Sequence, residues 1–172
     1  MAVEKTLKVF NDLEKKRLIK RYVIGGGIAV LFYAEPILTY VLDVFCLLPS
    51  ERGGLITLSA LYKYLRKKGY KEQEEHIVIE GIPVQFIPAY NALVEEAIEK
   101  AMEVEYKGVK TKIVRLEHLL AIMLQTYRPK DRERMLLLLD EAHIDMPYLE
   151  NVLERHGLQE KWSKFRRRYS EE

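Results

Sequence analysis

Apolar positions along the chain switch between two periods, and the switches place its elements. Val3, Leu7, Phe10 and Leu13 recur at helical spacing among Lys and Glu, which predicts an amphipathic helix over 3–18. Tyr22-Val23-Ile24 predicts a short strand that ends on Gly25-Gly26-Gly27. Ile28 to Ala34 predicts a short, mostly buried helix closed by Glu35-Pro36, and 38–48 an apolar strand interrupted by Asp43. Ser50-Glu51-Arg52-Gly53-Gly54 marks a loop. Leu55, Leu58, Leu61, Tyr62 and Leu65 predict a second amphipathic helix, stopped near Gly69. His76-Ile77-Val78-Ile79 and Pro83-Val84-Gln85-Phe86-Ile87 flank Glu80-Gly81, a hairpin signal. Asn91 is the N-cap of a helix expected from 92 to about 104. Lys107-Gly108 is a turn before a strand from Val109 to Arg115. Everything from Leu116 onward predicts helix, over 117–127, 129–142, 147–156 and 158–168, with breaks at Arg128-Pro129, Asp145-Met146-Pro147 and Gly157. The order predicts an α+β fold: a mixed β-sheet flanked by helices over 1–115, and a C-terminal helical region over 116–172 packed on it.

Composition narrows the function classes. Hydrophobic residues are 48% and charged residues 31% of 172, as in an ordered, core-forming chain. The formal net charge is only +2, so bulk attraction to nucleic acid is excluded and any such binding must use a local patch. The single cysteine, Cys46, excludes an intrachain disulfide and reads as a small buried hydrophobe. The histidines, His76, His118, His143 and His156, share no metal-binding spacing, and His118 is expected partly exposed. No apolar run reaches the ~20 residues of a membrane span and no leader-like apolar segment opens the chain, so the expectation is a cytoplasmic protein without membrane contact.

Candidate chemistry starts at Asp43, because a charge in an apolar strand is costly unless it is paired or binds a cation. Gly25, Gly26 and Gly27 read as a tight strand-to-helix turn or as a place for phosphate to approach the backbone. Gln85 reads as a core amide or a site residue. Arg128, Lys130 and Asp131 open a helix around Pro129, either as a charged start with local salt bridges or as a phosphate-facing patch oriented by Asp131. Arg134 shares the helix face of Lys130. Lys161 to Tyr169 mixes basic and aromatic residues, and reads as a helix docked by Trp162, Phe165 and Tyr169 or as an RNA or phosphate surface.

Five motifs, in order, carry a resemblance. They are Ile24-Gly25-Gly26-Gly27-Ile28-Ala29, Thr39-Tyr40-Val41-Leu42-Asp43-Val44-Phe45, Ile82-Pro83-Val84-Gln85-Phe86, Leu119-Leu120-Ala121 and Arg128-Pro129-Lys130-Asp131. Over roughly residues 20–140 the chain resembles the nucleotidyltransferase superfamily, the fold of DNA polymerase beta. It most resembles the small AbiEii-type and MNT-type members, often found in toxin–antitoxin systems. The resemblance implies transfer of a nucleoside monophosphate from an NTP, with magnesium ions activating the attacking oxygen and stabilising the leaving one. It implies two acids one residue apart on one strand, hence on one face, and a third acid on a neighbouring strand.

Carried onto this chain, the second acid is Asp43. The first falls on Val41, with Thr39 anchoring the register, and the third on Gln85. An arginine of the pattern falls on Leu38 and a lysine on Met123. The implied nucleotide-binding set is Gly25, Gly26, Gly27, Thr39, Arg128, Lys130 and Asp131, and the implied metal ligand is Asp43 alone, so Mg is expected weak or lost. Two expectations follow. One is a degenerate nucleotidyltransferase-fold protein that binds a nucleotide, an RNA or a partner protein. The other is an active Mg-dependent transferase acting on RNA or protein, with Glu35 or Glu80 supplying a second carboxylate beside Asp43.

Overall fold

The computed structural model describes residues 3–26, 29, 33, 41–49 and 58–169. Helix α1 (Val3–Lys15) leads into β1 (Arg21–Gly25) and β2 (Leu42–Leu47). Helix α2 (Ser59–Lys67) precedes β3 (Lys71–Gln73), β4 (His76–Ile79) and β5 (Ile82–Pro88). Helix α3 (Ala92–Glu99) is followed by β6 (Met102–Tyr106) and β7 (Val109–Ile113). Helices α4 (Leu116–Thr126), α5 (Pro129–Glu141), α6 (Met146–Arg155) and α7 (Gln159–Tyr169) complete the described chain. The helix expected over 28–34, residues 38–40 of the expected strand and the loop at 50–54 lie outside the described residues, apart from isolated positions.

The strands form one mixed sheet in the order β3-β4-β5-β2-β1-β7-β6. Strand β1 is antiparallel to β2 and parallel to β7, and β2 is parallel to β5. This register sets Gly25 opposite Asp43, and Asp43 opposite Gln85. Side chains alternate across the sheet. Tyr22, Ile24, Val44 and Cys46 face a core shared with α1 and α2, whereas Val23 and Phe45 face one built by α3 to α7. Asp43, two residues before Phe45, therefore shares the face covered by the C-terminal helices. Trp162 and Phe165 dock α7 on that core. Cys46 is fully buried, and burial pushes its thiol up to about 12.

Three elements differ from expectation. The helix begun at Asn91, whose side chain accepts from the Val94 N–H at 2.9 Å, stops at Glu99 instead of 104. Residues 102–106 are a strand because Met102, Val104 and Tyr106 alternate with exposed Glu103 and Glu105. Lys107 and Gly108, with φ of 46° and 81°, turn this strand back onto β7. The short, fully exposed β3 edge has no apolar signal to announce it. Among the described residues no helix is long and apolar enough to cross a membrane.

Candidate active-site cleft

A cavity of about 520 Å³ opens between the sheet and the helices α4 and α5. Gly26, Val41, Asp43 and Gln85 line it from the sheet, Met123 from α4, and Arg128, Lys130, Asp131 and Arg134 from the start of α5. Six of the residues singled out in the sequence, Gly26, Asp43, Gln85, Arg128, Lys130 and Asp131, thus meet in one place. Gly25 lies beneath, in the ladder opposite Asp43. Gly27, Leu38, Thr39 and Glu35 lie outside the described residues.

The two glycines have separate jobs. A Cβ on Gly25 would stand 2.3 Å from Cε2 of Phe45, so its bareness lets that ring cross the strand. A Cβ on Gly26 would stand 2.1 Å from Oδ2 of Asp43, and Gly26 has φ +60°. Gly26 is therefore required twice, by its backbone conformation and by the carboxylate packed against it.

Asp43 sits among cations without being locked by them. Burial pushes its carboxyl above the ordinary carboxylate range. Lys130, Arg134, Arg128 and His76 act in the opposite direction as charges at a distance, not as hydrogen-bond donors.

Asp131 is the contrasting acid. It is 1% exposed, and its Oδ2 accepts from the Arg128 N–H at 2.9 Å, Arg128 Nε at 2.8 Å and Thr126 Oγ1 at 2.8 Å. Burial alone would raise its pKa, but the bonds from Arg128 and Thr126 prevail and hold it below the ordinary range. The reading of this segment as a charged helix start with local salt bridges matches these bonds. The acid caps the helix start, and in doing so it fixes the Arg128 guanidinium at the cleft edge.

Two expectations need correction. Glu80 does not reach Asp43: it sits at the β4–β5 turn, where its carboxylate accepts from the Tyr70 hydroxyl at 2.9 Å, and it lines a different groove. His118 is not partly exposed but fully buried, with Nε2 at 2.7 Å from Glu96 Oε2, because α4 is buried on nearly every side. Sequence reasoning also missed His76 and Tyr90, which line the cleft. The hairpin register held the signal for His76: Ile77 pairs with Val84, so one further step brings His76 beside Gln85. Nothing in the local pattern marks Tyr90.

Magnesium requires hard oxygen donors and is held by carboxylates. The described residues bring two carboxylates to the cleft, and Asp131 is spent on Arg128 and Thr126. Val41 offers no side-chain donor and Gln85 a neutral amide. Among the described residues no group of three His, Cys, Asp or Glu is placed to hold a metal ion. The donors among the described residues, which do not include Glu35, do not fit a pair of magnesium ions.

No protein-family model matches the sequence, and no curated protein does. Solved structures do. The chain is similar to an antigenic nucleotidyltransferase-like protein from Paracoccidioides brasiliensis, with 15% identity and a TM-score of 0.64, covering 98% of this chain and 88% of that one. It is also similar to the antibiotic-resistance factor ANT(2″)-Ia in its solution structure, with 16% identity and a TM-score of 0.52, covering 99% of each chain. At such identities the likeness speaks of fold: the chain adopts a nucleotidyltransferase-like α+β fold.

Proposed function

We propose that this nucleotidyltransferase-like chain binds the phosphates of a nucleotide in the cleft, and that it does so without two-metal transfer chemistry. One observation carries the reading. Among the described residues Asp43 is the one acid of the cleft not tied up in a salt bridge, and it faces Arg128, Lys130, Arg134 and His76, with Val41 just before its strand and Gln85 opposite. A triphosphate brings the negative charge that this set lacks, and charge-assisted contacts to phosphate are the strong class of hydrogen bond. The resemblance to AbiEii-type and MNT-type proteins supports, in addition, a partner-binding role in a toxin–antitoxin type system.

Thermal shift and calorimetry with each NTP, in EDTA and in magnesium, test the proposal. Binding is expected in EDTA, with no gain from magnesium, and weaker by roughly tenfold in Lys130→Ala, a side chain that makes one charged contact. The competing reading is an active transferase, favoured by the survival of Asp43 on the cleft wall. Binding that requires magnesium, together with label transferred from NTP to bulk tRNA above an Asp43→Ala control, would establish that reading and defeat the proposal. Val41→Asp with Gln85→Asp should then add magnesium affinity, because all three positions converge on one face of the sheet.

A further inference from the structure

We infer that the cleft continues into a ledge that holds a single-stranded polynucleotide, with Tyr90 as the stacking platform at its mouth. The inference rests on the phosphate-binding reading above and extends it from one nucleotide to a strand.

Three observations lead there. Among the described residues Tyr90 is the exposed large hydrophobic side chain, at 52%, and it lines the same cavity as Arg128 and Lys130. A ring left in water beside phosphate-binding cations is placed to receive the face of a base. Next to Arg128, Tyr127 closes α4 in the left-handed conformation, φ 51°. Its ring is approached by two cations, the Arg132 guanidinium and the Lys161 ammonium, each 5.1 Å from the centroid. Lys161 also donates to the Gln125 carbonyl at 3.1 Å, which fixes its position. Among the described residues no salt bridge occupies Lys130, Arg132 or Lys161.

The chain as a whole carries a net charge of only +2, so this run of cations without salt bridges is a local feature. Cations interleaved with aromatic faces suit a flexible strand, whose phosphates track the charges while its bases stack. A duplex keeps its base faces inside and has no use for Tyr90. An inorganic polyanion uses the charges but not the ring.

Fluorescence anisotropy with a labelled strand of about twelve nucleotides, as RNA and as DNA, tests this, with a hairpin duplex and inorganic polyphosphate as competitors. Both or either single strand should bind, with affinity falling steeply as salt rises. Tyr90→Ala should weaken the strand about tenfold and Tyr90→Phe should not, because stacking needs the ring and not the hydroxyl. Arg132→Ala with Lys161→Ala should weaken the strand while leaving ATP binding in EDTA unchanged. Polyphosphate or duplex competing as well as the strand, or a Tyr90→Ala protein with unchanged strand affinity, overturns the inference. If ATP binds in EDTA and neither strand does, the ledge fails alone; if ATP also fails, the phosphate-binding reading fails with it.

Discussion

Two carboxylates, Glu96 on α3 and Asp43 on β2, both sit among basic side chains, and their environments push them in opposite directions. At Glu96 burial alone would raise the pKa, but the forked contact from Arg155 and the hydrogen bond from His118 prevail and hold it at about 2. His156 completes the cluster at 3.4 Å. At Asp43 burial wins, because the cations around it stay at a distance. The difference separates a fastening from a site. Glu96 spends its charge tying α3, α4 and α6 together. Around Asp43 the cations outnumber the acid, and an incoming phosphate would satisfy them better than Asp43 does. Burial and basic neighbours are common to both clusters; hydrogen-bond completion is what distinguishes them.

The largest expected effect breaks the packing on which the cleft half of this comparison depends. Gly26→Ala forces a Cβ toward Asp43 Oδ2 at a left-handed φ, and should cost about 3 kcal/mol, measured as a shift in denaturant midpoint. Adding Asp43→Ala should return part of that loss, because the clash goes and only the backbone strain remains. A Gly26→Ala protein as stable as the parent would mean that Asp43 does not pack on Gly26.

Glu96→Gln addresses the other half and should cost about 2 kcal/mol at pH 7, since Arg155 loses its counter-charge and buried His118 its charged acceptor. The sign with pH follows from the shifts. Glu96 is lowered from 4.5 to about 2, so its stabilisation is present above 4.5 and disappears as pH falls through about 2. His118 is held below 6.5, by burial first and against the pull of Glu96, so protonating it on acidification also works against the fold. The stability gap between parent and variant should therefore narrow as urea titrations are taken from pH 4.5 down toward 2. A gap unchanged over that window would show that Glu96 is not the fastening.

The cleft was more legible in the sequence than the fastening. Gly26, Asp43, Gln85 and Arg128 to Asp131 fall in motifs whose order implies that they meet. Glu96 and His118 are separated by 22 positions, and no local pattern pairs them. His118 was misread because amphipathic periodicity assumes a wet face, and α4 is buried at every position from Leu116 to Leu124 except Glu117. The same logic explains β6. Ala101-Met102-Glu103 are good helix formers, and propensity hid a period of two that only pairing with β7 makes decisive. The hairpin and the Asn91 cap were legible because turn and cap chemistry is local.

Asp43→Asn gives the smallest effect and the most discriminating one. An acid whose folded pKa is raised contributes stability that is complete below its unfolded value, 3.8, and is lost as pH rises through the folded value. At pH 7 the ionised carboxylate is therefore a burden on the fold, and the isosteric amide removes it. The variant should gain less than about 1 kcal/mol at pH 7 and match the parent near pH 3. Glu96→Gln should move the opposite way under the same conditions. A loss at pH 7 would mean that the distant cations already satisfy Asp43 as fully as Arg155 satisfies Glu96. The two clusters would then be alike, and the cleft would have no unbalanced charge with which to attract a phosphate.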